Sequence, residues 1–303
     1  MLHLHVHSDY SNIRLIDSIN KVSKLIQKAV NMNNSGIAIT DHESVSGHVQ
    51  KGKAESSIPE DFKLILGNEI YLVNSLEEVK DNYQSGVTKF WHFILLAKDE
   101  IGHKQLRILS SLAWDNSFKT GKMERTPTLK KDLARIIKEN PGHLIASTAC
   151  LGGECSHWIL NKNVKKFNEF VQYCYDLFGE DFYFELQPNN SEEQVLVNKT
   201  LISISEQLDI PFIVTCDAHY LNKEDRVFHE AYLNSHEEER EVGDFYATTY
   251  MMNETEIHEY LDWQIGVENV DKAIRNTEAI ADKVNNYTLA HSTIVPEADV
   301  PEY

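Results

Sequence analysis

The sequence predicts a parallel α/β fold, either a closed barrel or an open sheet. Three observations predict it. Short β-rich apolar runs recur at residues 2–6, 36–40, 64–73, 90–97, 143–148, 182–187 and 211–216. Amphipathic stretches of helical spacing lie between most of them, and strands that alternate with helices build parallel sheets. A hydrophobic share of 42% and a charged share of 25% over 303 residues belong to a soluble globular chain of one large domain or two ordinary ones.

The elements follow in order. Residues 2–6 alternate apolar side chains with histidines. Residues 18–33 carry Ile19, Val22, Leu25, Ile26, Ala29 and Val30 at helical spacing and lead into the strand 36–40. The run 64–73 is interrupted at Gly67-Asn68, and the polar stretch 74–89, with Ser85-Gly86 as a turn signal, is expected to join it to 90–97 as a hairpin. Residues 116–128, with Gly121 and Pro127, read as a long exposed loop. Stretches 106–113, 129–137, 164–178 and 192–208 read as helices that flank the strands 143–148, 182–187 and 211–216. After His219 the texture changes to acidic helices over 224–235 and 267–284, then to a tail with Pro296 and Pro301. A boundary near 221 divides a barrel, residues 1–220, from a helical segment, residues 221–303.

Charge narrows the function. Lys and Arg number 29 against 47 Asp and Glu, a net charge of −18, whereas autonomous duplex-DNA binders are usually basic. Any nucleic-acid contact is therefore expected to be local, through a partner, or through metal ions that offset the acid. The longest strongly apolar runs are too short to cross a bilayer, and the start MLHLHVHSDY lacks the apolar core of a signal peptide. Four cysteines form no dense framework, which fits a reducing cytoplasm.

The chemistry gathers where strands end, as a barrel predicts. His5 and His7 close the first run, and period-two alternation places His3 on the same face. Imidazole suits zinc, manganese and iron alike, although a lone His-x-His is equally an edge strand that carries histidines. Asp41-His42 follows the second strand at once, and Asp217 and His219 follow the last. Two strands ending in Asp and His argue for a shared partner, because buried carboxylates and imidazoles need one. Glu69 follows 64–66, and Cys150 follows 143–148 with a thiol suited to zinc. His92 begins its run rather than ending it, so it reaches Glu69 only if the hairpin over 74–89 forms. Dispersed N, O and S donors of this number imply two or three ions, the arrangement used on phosphate esters, rather than one closed structural zinc.

The segments HLHVHSDYS, AITDHESVSGH, GNEIY, WHFILLAKD, STACLGGE and TCDAHYL closely resemble the polymerase-and-histidinol-phosphatase (PHP) domain. The version they resemble stands at the N-terminus of bacterial replicative DNA polymerase III α subunits, Gram-positive or phage-like, and the match spans roughly residues 1–290. The resemblance implies a distorted (β/α)7 TIM-like barrel with a C-terminal helical connector leading towards a polymerase catalytic region, which is not found in this chain. It implies two to three divalent ions (Zn, Mn or Fe) held by His5, His7, Asp17, His42, Glu69, His92, Cys150, Asp217 and His219. Asp17 is matched across an apparent insertion at Asn12-Ile13-Arg14. It further implies a metal-dependent phosphoesterase acting as a proofreading 3′→5′ exonuclease on DNA 3′ ends, beside a polymerase region in cis or trans, in the bacterial cytoplasm. A non-catalytic, metal-stabilised polymerase module and a free-standing small-molecule phosphatase or pyrophosphatase are the competing readings.

Other residues have plainer expectations. Asp41 orients a neighbouring ligand. His3 lies behind the ligands, and His48, His103, His143, His157, His229, His236, His258 and His291 are surface or capping residues. Cys155, Cys174 and Cys216 are small buried residues. Arg14, Lys98, Lys119, Lys122 and Arg125 are solvated bases that could meet a phosphate backbone.

Overall fold

The computed structural model describes residues 1–13, 16–54, 58–81, 90–120, 123–235, 244–290 and 292–293. The elements in chain order are α1 (Val22–Asn31), β1 (Gly36–Ile39), α2 (Gln50–Ala54), β2 (Lys63–Val73), α3 (Leu76–Asp81), β3 (Trp91–Ala97), α4 (Glu100–Asp115), β4 (Phe118–Thr120), β5 (Met123–Arg125) and β6 (Thr128–Leu129). They continue as α5 (Lys130–Glu139), β7 (Leu144–Ser147), α6 (Glu154–Leu160), α7 (Val164–Phe178), β8 (Phe182–Leu186), α8 (Glu192–Leu208), β9 (Phe212–Val214), α9 (Arg226–Leu233), α10 (Glu254–Ile265) and α11 (Val267–Lys283). No helix among the described residues is long and apolar enough to cross a membrane.

The main sheet runs β1-β2-β3-β7-β8-β9, and residues 2–6 close it as a further stave. Their backbone accepts from Ala38 N at 2.8 Å and Thr40 N at 2.9 Å on the β1 side. On the β9 side His7 N donates to Ala218 O at 2.9 Å, and Ala218 N donates to His5 O at 3.2 Å. The result is the expected distorted barrel. Its distortion is β3, which pairs antiparallel with both β2 and β7 in an otherwise parallel set. Alternation has the same period in either direction, so the apolar run itself does not show this reversal; the hairpin expected between 64–73 and 90–97 does, and the antiparallel pairing bears it out. The strands pair as the expected hairpin, with α3 in the connection between them, and residues 82–89 lie outside the described set. The expected loop over 116–128 is instead a small hairpin, β4–β5, followed by β6, which pairs parallel with the upper end of β2.

Both sheet faces are buried. The outer face packs Ile37, Leu64, Phe93, Leu95, Phe182 and Phe212 against the helices. Inside lie Leu2, Leu4, Ala38, Ile65, Ile94, Leu96, Ile145, Tyr183 and Ile213, with Ile280, Ala281 and Val284 from α11 and its end. The last helix therefore supplies the barrel floor. It is fixed there by Asn276 Nδ2 donating to Phe212 O at 2.7 Å and Leu2 N donating to Thr277 Oγ1 at 3.0 Å. The helix 254–265, which the sequence reading passed over, begins with an Asn253–Glu256 capping box.

Candidate metal centre

The nine residues expected to hold metal converge at the barrel mouth. His5 and His7 come from the first stave, Glu69 from β2 and His92 from β3. His42 follows β1 and pairs in parallel with Glu69, while Cys150 follows β7 and Asp217 and His219 follow β9. The antiparallel direction of β3 solves the problem of His92: its first turn of strand, not its last, lies at the mouth. There His92 Nδ1 is 2.6 Å from Glu69 Oε1.

Three donor groups overlap: His5, His7, Glu69 and Asp217; His7, Asp17, His42 and His219; and His42, Glu69 and His92. In the first, His5 Nε2 and His7 Nε2 are 3.1 Å apart, and each lies 3.1–3.2 Å from Glu69 Oε2 and Asp217 Oδ1. In the second, Asp17 Oδ2 is 3.1 Å from His42 Nε2 and 3.0 Å from His219 Nε2. In the third, His42 Nδ1 stands 2.9 Å from Glu69 Oε2. Cys150 Sγ borders this group, 3.5 Å from His92 Nδ1. Ligands about 2.0–2.1 Å from a common tetrahedral ion stand roughly 3.3 Å from one another, close to these spacings.

A divalent cation fits the residues present. Asp17 Oδ2, His42 Nδ1, Glu69 Oε2 and Asp217 Oδ1 are buried and make no hydrogen bond, although all are within about 3 Å of other donors. They aim at shared space instead of at one another. Leaving such atoms unsatisfied costs about 1–3 kcal/mol each, more if charged, and a cation removes that cost. Mixed N, O and S donors suit zinc, manganese or iron.

The imidazoles are held from behind. His5 Nδ1 donates to Glu185 Oε1 at 2.7 Å, His7 Nδ1 to Ser11 Oγ at 3.0 Å and His219 Nδ1 to the Asp217 carbonyl at 2.7 Å. Each bond fixes its ring with Nε2 facing the cluster, where a cation can take the place of a proton. Ser11 in turn donates to Asp41 Oδ1 at 2.9 Å, so Asp41 orients His7 as expected. Glu185 was missed. Its signal was a single acid in the apolar strand FYFEL, where a buried carboxylate requires partners. Ser147 and Thr215 hydroxyls both donate to it at 2.5 Å.

The electrostatics of the pocket call for positive charge, which protons supply on the rings and a bound cation would replace. Burial opposes the charged form of His5, but Asp217, Glu185 and Glu69 outweigh it and raise its pKa well above the ordinary value. Burial opposes ionisation of Asp17 too, yet His219 and His42 hold it well below the usual carboxylate range. For Cys150, burial and then the Asp217 and Glu69 charges push the thiol well up; as a ligand it needs a cation to reverse that bias. Asp217 itself adopts φ 48° and Ala149, beside Cys150, φ 57°, left-handed conformations that non-glycine residues rarely take and that cluster at functional sites. Close approach explains the Gly-Gly pair after Cys150. A Cβ on Gly152 would meet the His92 ring at 3.0 Å, and one on Gly153 would meet Thr148 O at 2.3 Å.

Some expectations fail. His3 does not share the face of His5 and His7: the chain bends at His5, Leu2 and Leu4 take the interior, and His3 lines a separate cavity of about 200 Å³ with Met32 and Met252. His48, His103 and His229 are buried, not superficial. His229 Nε2 donates to the Asp17 carbonyl at 2.6 Å and so steadies that segment. Cys155, Cys174 and Cys216 are buried free thiols. His236, His291, Arg14 and Lys122 lie outside the described residues.

The comparisons with known proteins agree with the motifs. The chain is 50% identical over its whole length to "Probable DNA polymerase YorL" of Bacillus subtilis (strain 168), covering 25% of that protein. Over 99% of its length it is 31% identical to the DNA polymerase III subunit alpha of Aquifex aeolicus, covering 26% of it. The chain thus spans about a quarter of the length of these curated relatives. A solved structure from Bifidobacterium adolescentis, provisionally described as a metal-dependent phosphoesterase, covers 72% of this chain and matches over 87% of its own at 16% identity and a TM-score of 0.45, a distance that carries no argument about chemistry. The family model described as "PHP domain" matches residues 3–189, and the chain belongs to that family.

Proposed function

We propose that the chain is a metal-dependent phosphoesterase module of a replicative DNA polymerase of the III α type and that it trims DNA 3′ ends as a 3′→5′ exonuclease. The observation that carries this reading is the overlap of the three donor groups, which share His7, His42 and Glu69. Adjacent ions are the arrangement that grips both the attacking and the leaving oxygen of a phosphate ester. His5, His7, Asp17, His42, Glu69, His92, Cys150, Asp217 and His219 would hold two to three ions of Zn, Mn or Fe. Such ions supply Lewis acidity and a nucleophilic water at neutral pH.

The chain's own residues perform the remaining tasks. Glu185, Ser11 and the Asp217 carbonyl fix the three imidazoles with their Nε2 atoms inward, where a bound cation would displace any proton. Glu69 faces both the first and third groups through Oε2 and reaches His92 through Oε1, which makes it the residue best placed to couple them. The likeness to polymerase sequences supports a polymerase region in cis or trans and a bacterial cytoplasmic setting, with residues 221–303 leading towards that region.

The test is shortening of single-stranded or mispaired 3′ ends in Mn²⁺ or Zn²⁺, with release of mononucleotides at low salt. Asp217→Asn and His7→Ala should each abolish it. Strong turnover of a generic phosphomonoester with no DNA shortening would favour a small-molecule phosphatase. Loaded metal with neither reaction would favour a non-catalytic module.

A further inference from the structure

An aromatic track leaves the metal centre along the upper arm of the barrel. Tyr71 and His92 are cross-strand partners on β2 and β3, so their side chains share the mouth-facing side with Glu69. Their rings stack 4.7 Å apart at 24°. Phe90, two residues before His92 and hence on the same face, lies 6.4 Å from Tyr71, and Phe118 of β4 lies 6.2 Å beyond Phe90. All three aromatic side chains are half-buried, neither sealed into the core nor free.

Basic groups follow the rings. The Arg125 guanidinium sits 4.7 Å over Phe90, held by Nε donating to Thr120 Oγ1 at 3.2 Å, and Lys80 Nζ stands 5.3 Å from the Phe118 ring. Lys119 and Glu124, cross-strand partners, alternate to the other face of the hairpin. The hairpin is tied to the metal loop, since Thr126 Oγ1 donates to Glu43 Oε1 at 3.0 Å, one residue past His42. In a chain of net charge −18, this local pairing of cations with rings suits an occupant that is both anionic and planar. Part of the hydrophobic contact of Phe90 and Phe118 is with Val73, Val79 and Leu129; that packing anchors the rings and leaves the basic groups unexplained.

The geometry points to a seat for single-stranded nucleic acid, with bases against Tyr71, Phe90 and Phe118 and phosphates towards Arg125 and Lys80. Stacking platforms flanked by cations bind single strands in this way with little regard to sequence. The inference rests on the phosphoesterase reading only in naming the metal end of the track as the reacting end.

The experiment is fluorescence anisotropy of a labelled oligodeoxythymidylate on the full chain at low salt. Phe90→Leu, which keeps apolar volume and removes the π face, and Arg125→Gln should each weaken binding about fivefold or more. Trp263→Leu, on an exposed aromatic of α10 that touches none of the track's rings or cations, should not. Thermal melting of each variant separates lost binding from lost folding. A duplex of the same length should compete poorly. Wild-type protein that fails to bind the single strand, binds it equally after both substitutions, or binds duplex as well would overturn the inference. Ester hydrolysis with unchanged binding in the variants removes the track and leaves the phosphoesterase. Track-dependent binding with no hydrolysis of any ester does the reverse.

Discussion

Glu185→Gln probes the support behind the cluster without touching a proposed ligand. The native carboxylate offers two oxygens to four donors: His5 at 2.7 Å, Thr215 at 2.5 Å and Gln187 at 3.4 Å on one, Ser147 at 2.5 Å on the other. A carboxamide keeps the shape but has one acceptor oxygen, so at least one donor is left without its partner. That defect costs about 1–3 kcal/mol of stability, with or without metal. The second effect is specific to metal. Removing the charge behind His5 makes its Nε2 a weaker ligand, and losses of this kind run to about 10–100-fold in affinity, or about 1.4–2.7 kcal/mol. The gap between the melting temperatures of loaded and metal-free protein should therefore shrink by roughly 3–10 °C at saturating metal. Competition against a chromophoric chelator gives the affinity, and paired thermal melts give the gap. A variant that melts lower but binds metal within twofold of wild type would refute the orienting role and leave Glu185 a packing residue.

Three further outcomes follow from the packing. His48 is buried against His103, 3.2 Å between ring nitrogens; burial, then the neighbouring His103, lower its pKa to about 3, against about 6.5 unfolded. Its contribution is complete above pH 6.5 and lost as pH falls towards 3, about 2 kcal/mol by pH 5; urea unfolding of His48→Gln should show that much less pH dependence between 7 and 5, and an equal dependence would contradict the buried neutral ring. Ile280→Asp places a charge in the barrel floor and should cost several kcal/mol, read as loss of a cooperative melt; a near-native melt would mean α11 is not part of the core. Gly153→Ala has an ordinary φ of −76° but a Cβ 2.3 Å from Thr148 O, so it should displace the Cys150 loop and lower metal occupancy, while unchanged occupancy would show that the loop relaxes freely.

Much of the barrel was readable because strands buried on both faces appear as short apolar runs, and all seven runs became staves. Most ligand positions were readable because strand ends meet at one mouth. What escaped has physical reasons. The direction of β3 left no trace in its own two-residue period and was reached only through the hairpin expected over 74–89, on which the place of His92 depended. His3 was put with His5 and His7 because alternation assumes a straight strand, and the bend at His5 breaks it. Glu185 was passed over because it stands inside a strand, where sequence alone does not say which partners surround it. The stretch 116–128 carries Gly121 and Pro127 among polar residues, signals shared by turns and loops alike, so its strands read as loop. The role of α11 depends on contacts across most of the chain length, such as Leu2 with Thr277, which no local pattern announces.

Elemental analysis of the full chain, purified without chelators and equilibrated with excess zinc, manganese or iron before desalting, bears most directly on the metal centre. Two to three transition-metal ions per chain are expected, with fewer in Asp217→Asn, since Asp217 Oδ1 lies within 3.1 Å of both His5 and His7. A folded wild-type protein that retains no metal under these conditions would contradict the metal centre and every functional conclusion built on it.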